Sequence, residues 1–83
     1  MKKELQELKE KAQSLGATRL ASNTFGDYLC RVNDIYNGPI EKVDYIATVE
    51  NRDNIIGAID KITYEDNSVD YYYWISSFAE KGL

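Results

Sequence analysis

Val69-Asp70-Tyr71-Tyr72-Tyr73-Trp74-Ile75-Ser76 reads as a β-strand, and its two faces decide what the rest of the chain has to build. Successive side chains on a strand point to opposite sides. Val69, Tyr71, Tyr73 and Ile75 therefore share one face, and Asp70, Tyr72, Trp74 and Ser76 share the other. Both faces are aromatic. The first set is the more apolar and is expected in the core beneath a helix, which leaves the second on an open face. Tyrosine and tryptophan combine large contact area with a polar tip and few rotors, which suits a surface that is wet when free and buried when bound. The expectation is a partner-binding sheet with Tyr72 and Trp74 as anchors. Aromatic ladders that only stabilise the sheet, and a homodimer that covers the second face, are the competing explanations.

Two further strands precede this one. Val43, Tyr45, Ala47 and Val49 alternate with Asp44, Ile46, Thr48 and Glu50, the pattern of a half-buried strand over residues 42 to 50. Asn51-Arg52-Asp53-Asn54 has turn chemistry, residues 55 to 64 form a β-rich run, and Glu65-Asp66-Asn67-Ser68 turns again into the aromatic strand. Short polar turns join antiparallel neighbours, so these runs make a meander. Ile55, Ile59 and Ile62 also fit a helix, but Gly57 and the β-branched content favour strand.

At the other end, Leu5, Leu8, Ala12 and Leu15 recur at helical spacing before Gly16, which predicts an amphipathic helix over residues 2 to 15. Residues 17 to 37 read two ways. As strands, residues 17 to 22 and 28 to 36 flank the turn Asn23-Thr24-Phe25-Gly26. As a helix, Thr24 caps, Asp27 closes a capping box, Phe25, Leu29, Val32 and Tyr36 share a face, and Gly38-Pro39 stops it. The β-rich run Tyr28-Leu29-Cys30-Arg31-Val32 and the weakness of Gly26 near a helix start favour strands. The expected fold is α+β, a single domain over residues 1 to 83, with one N-terminal amphipathic helix packed on a four- or five-stranded antiparallel meander sheet.

Charge and composition bound the function. Residues 1 to 26 carry five Lys or Arg against three Glu, giving +2, whereas residues 27 to 83 carry eleven acids against five bases, giving −6. A phosphate backbone needs a basic patch, so direct nucleic-acid binding is not expected, and a protein with a basic surface is the natural partner. The single Cys30 makes no internal disulfide, the charged N-terminus is unlike a signal peptide, and no apolar run approaches the ~20 residues of a membrane span. The expected address is the cytoplasm, with no membrane contact. Histidine is absent, which removes the commonest general base and metal ligand. Cys30 reads as a buried small hydrophobe, and no glycine pattern writes a phosphate or dinucleotide loop. Asp66-Asn67-Ser68-Val69-Asp70 lacks the length and terminal Glu of a calcium loop. No catalytic, metal or cofactor site is expected.

Ala21-Ser22-Asn23 followed by Gly26-Asp27-Tyr28-Leu29-Cys30 resembles the short turn-and-strand signature of the SUKH immunity superfamily, bacterial proteins that neutralise toxins by binding them. In composition the chain is also similar to the small acidic inhibitors of phages and mobile elements, anti-CRISPR and DNA-mimic proteins among them. The expected function is a non-enzymatic, acidic inhibitor that blocks a basic surface of a partner protein. Tyr72 and Trp74 would anchor it, and Glu50, Asp53, Glu65, Asp66 and Asp70 would supply the field. The alternatives are an immunity protein that binds a toxin and a structural homo-oligomeric accessory protein.

Overall fold

The computed structural model describes residues 2–34 and 38–81. The chain runs α1 (Lys2–Ser14), β1 (Thr18–Arg19), α2 (Phe25–Asp34), β2 (Ile40–Asn51), β3 (Asn54–Tyr64), β4 (Val69–Ile75) and α3 (Ser77–Lys81). The four strands form one sheet in the order β1-β4-β3-β2. β2, β3 and β4 are the expected antiparallel meander, but β1 lies parallel to β4, with Thr18 opposite Tyr72 and Arg19 opposite Tyr73. The sheet is thus mixed, and the expected strand over residues 17 to 22 shrinks to two residues.

α1 is built as its leucine spacing requires. Leu5, Leu8 and Ala12 are buried against Ile56, Ile59, Tyr73 and Ile75 on one face of the sheet. Its end is a Schellman cap: Ala17 N–H donates to Ala12 C=O at 2.9 Å, Gly16 N–H to Gln13 C=O at 3.1 Å, and Gly16 takes φ +69°. Gly57 lets the helix approach, because a Cβ there would lie 3.1 Å from Leu5 Cδ2 and 3.5 Å from Leu8 Cδ1.

The largest correction concerns residues 28 to 36. Phe25–Asp34 is a helix, not a strand, and residues 35 and 36 lie outside the described residues. Thr24 Oγ1 accepts the Asp27 N–H at 3.1 Å and Thr24 C=O accepts the Tyr28 N–H at 3.0 Å, so the capping alternative is the one realised. Gly26 falls inside that capped first turn, where its cost is small beside the core that Tyr28 and Val32 enter. Gly26, Asp27, Tyr28, Leu29 and Cys30 are therefore helical, and the turn-and-strand likeness to the SUKH signature is not present in the fold. Cys30 is exposed rather than buried.

α2 packs on the sheet face opposite α1, over Ala58, Ile62, Tyr64, Tyr72 and Trp74. The architecture is helix, sheet, helix, with two cores where one was expected. α3 follows β4 directly: Ser76 Oγ accepts from Ala79 N–H, and Glu80 pairs with Arg19 at 2.9 Å and Lys9 at 3.8 Å.

β2 does not keep strict alternation. Between the pairs Tyr45↔Asp60 and Ala47↔Ile59, β2 carries the extra residue Ile46, a bulge that switches which face each later side chain meets. Val43 and Tyr45 pair with Ile62 and Asp60 on the α2 side, whereas Ala47 and Val49 pack with the α1 core. The β2–β3 loop has both central residues left-handed, Arg52 at φ +48° and Asp53 at φ +69°, the geometry that favours Asn-Gly. Arg52→Asn with Asp53→Gly should stabilise the chain by about 1 kcal/mol, since a left-handed residue other than Gly, Asn or Asp costs about 1–2 kcal/mol. A rise in Tm of about 4–8 °C would register it; no rise would show that the loop is not strained.

Candidate functional site

The two expected anchors are not on an open face. Trp74 is 1% exposed and Tyr72 is 7% exposed, because α2 covers the side of the sheet they occupy. Tyr28 stacks on Trp74 with ring centroids 6.0 Å apart and planes 19° apart, Phe25 lies 6.2 Å from the same indole, and Trp74 Nε1–H donates to Ser22 C=O at 2.7 Å. These rings are core, so Tyr72 and Trp74 offer no platform for a partner to touch.

The five acidic candidates divide between the two ends of the sheet. Asp66 and Glu65 sit in the β3–β4 turn. There Asp66 Oδ1 accepts from Ser68 Oγ at 2.6 Å and Ser68 N–H at 2.9 Å, which holds its carboxyl below the usual range. Asp70, half-buried, accepts the Tyr64 hydroxyl at 2.6 Å. Glu50 and Asp53 lie at the β2–β3 turn, separated from the first group by the length of β3, on the order of 30 Å. Asp66 and Asp70 are thus held by the fold, and the five do not form one patch.

Glu50 does take part in a different site. A groove of about 400 Å³ runs between α1 and β2, lined by Glu4, Glu7, Leu8 and Lys11 from the helix and by Ala47, Thr48, Val49 and Glu50 from the strand. Helical spacing sets Glu4, Glu7 and Lys11 along the flank of α1 beside the buried leucine stripe. Past the Ile46 bulge, β2 turns Ala47 and Val49 toward the same space. The result is a floor of Leu8, Ala47 and Val49 with three carboxylates and one ammonium around it. Such a groove suits an aliphatic stem with a cationic head. By sequence alone Glu7 and Lys11, four residues apart, have the spacing of a solvated helix face; the signal for the groove lies in the pairing of β2, which no local pattern announces.

One titratable pair is fully internal. Asp60 is 0% exposed; its Oδ2 lies 2.6 Å from the Tyr28 hydroxyl, which is also 3.2 Å from Tyr72 C=O, and its Oδ1 is buried with no hydrogen-bond partner. Burial pushes the Asp60 carboxyl up from its ordinary value, and the Tyr28 bond opposes this in part. Burial and the adjoining carboxylate push the Tyr28 phenol up as well. Tyr28 lies in the α2 core, and Asp60 is fully buried beside it. Among the described residues, no group of three His, Cys, Asp or Glu can hold a metal ion, and no helix is long and apolar enough to cross a membrane.

No family model, no curated protein and no solved structure matches the chain.

Proposed function

We propose that this chain is a small, acidic, non-enzymatic binding protein that blocks a basic surface of a partner protein by seating a lysine- or arginine-bearing segment in the α1–β2 groove. The observation that carries this reading is the juxtaposition of an apolar floor, Leu8, Ala47 and Val49, with the carboxylates of Glu4, Glu7 and Glu50. The formal net charge of −4 adds long-range steering toward a basic partner. Aromatic anchoring through Tyr72 and Trp74 drops out of the proposal, and aliphatic stems on the groove floor take its place.

A fluorescein-labelled helical peptide with one lysine face and one leucine face serves as a probe. Its anisotropy should report binding that weakens with added salt, as partly exposed charge pairs do. Glu7→Lys with Glu50→Lys should lower affinity roughly tenfold or more. Asp34→Lys with Glu65→Lys, which changes net charge equally away from the groove, should lower it far less. Equal losses from the two double variants would mean that the peptide reads bulk charge, and the groove would lose its assignment.

A further inference from the structure

The outer edge of β2 pairs with no described strand. At 12 residues, β2 is also the longest strand of the sheet. Edges of this kind invite pairing with another chain unless charge or bulges blunt them. Here the bulges fall at Glu41 and Ile46 and leave Lys42-Val43-Asp44-Tyr45 as a regular stretch between them. That stretch carries two of the chain's exposed large hydrophobics, Val43 at 37% and Tyr45 at 63%. On its other face Lys42 is exposed and Asp44 half-buried, with Lys42 Nζ and Asp44 Oδ2 3.6 Å apart.

We propose that β2 pairs antiparallel with β2 of a second copy of this chain, with the two-fold axis between Val43 and its own copy, so that the two sheets become one. The register follows from charge and from face. In an antiparallel pair, directly opposed residues point to the same side of the sheet, so the axis must fall between one residue and its symmetry mate. An axis at Lys42 opposes two ammonium groups, and an axis at Asp44 opposes two carboxylates. An axis at Tyr45 sets Val43 of the α2 side against Ala47 of the α1 side, which the Ile46 bulge forbids. The axis at Val43 opposes Lys42 to Asp44 twice, stacks the two valines, and lets each Tyr45 reach diagonally over the other chain's Val43. Both exposed apolar groups of the stretch are covered in this way, and every charge in it meets its opposite. Ala47 to Glu50 extend past the paired segment, so the α1–β2 groove stays open and the pairing stands apart from the proposed function.

Sedimentation equilibrium of the full chain over a concentration series tests the pairing, with circular dichroism as the check on folding. The expected result is a species of twice the 9.5 kDa chain mass at high concentration. Lys42→Asp and Asp44→Lys each place like charges across the pair and should weaken the dimer roughly tenfold or more. The double swap, Lys42→Asp with Asp44→Lys, restores opposite charges in the same register and should recover it. A chain that stays monomeric throughout would overturn the proposal. So would single variants that dimerise like the parent, or a swap that fails to rescue.

Discussion

Trp74→Ala should cost about 3–5 kcal/mol, a large part of the roughly 4–12 kcal/mol that a chain of this length is expected to hold. The indole is buried to 1% exposure between Phe25 and Tyr28 of α2, and its N–H is the donor that ties Ser22 C=O to the sheet at 2.7 Å. Truncation removes the transfer energy of the ring, leaves a cavity under the helix and strips a part-buried carbonyl of its partner. The Tm should fall by more than about 10 °C. If Trp74 were instead a surface anchor, the same substitution would leave stability within about 0.5 kcal/mol. A thermal melt separates the two cases without any knowledge of a partner.

That contrast shows where the sequence was legible. The leucine stripe of α1, its Gly16 stop and the three meander strands depend on local periodicity and turn chemistry, and each lies in its own stretch of chain. α2 depended on a competition. Thr24, Asp27 and the Gly38-Pro39 stop favoured a helix, while the β-rich run from Tyr28 to Val32 favoured a strand. What decides is tertiary: α2 is the element that fills the space over Tyr72 and Trp74. A strand apolar on both faces is the pattern of a central strand covered twice, and β4 lies between β1 and β3. The polar tips of its rings suggested a wet surface; Trp74 spends its tip on the Ser22 carbonyl. β1 could not be read locally at all, because its parallel partner is more than fifty residues away along the chain. The groove was hidden for the same reason. Glu4 and Glu7 are ordinary helix carboxylates until the Ile46 bulge brings Ala47, Val49 and Glu50 beside them.

Tyr28→Phe should destabilise the chain by an amount that grows with pH. The substitution keeps the ring that stacks on Trp74 and deletes the hydroxyl 2.6 Å from Asp60 Oδ2. Asp60 Oδ1 already lacks a partner, so the buried carboxyl would then have no hydrogen bond to this residue at either oxygen. Burial holds the native carboxyl above its ordinary value of 3.8, and the Tyr28 bond pulls it partway back. The native state therefore binds more protons than the unfolded chain from that ordinary value upward. Its contribution to stability is complete at low pH and is lost as pH rises through the native value. Removing Tyr28 raises the native value further and enlarges this loss. At about pH 4 the deficit should be the ~1 kcal/mol of a neutral hydrogen bond; at about pH 8 it should reach about 2–3 kcal/mol, as for a bond to a charged group. Urea unfolding of both proteins at each pH measures the difference. Comparing the two proteins cancels the opposite slope from Asp66 and Glu80, whose carboxyls Ser68 and Arg19 hold low and which stabilise as pH rises. In an Asp60→Asn background no charge develops, and the cost of Tyr28→Phe should become independent of pH. A deficit that is flat with pH in the parent as well would show that Asp60 does not ionise inside the fold over this range, and the Tyr28 hydroxyl would then bond a neutral carboxyl throughout.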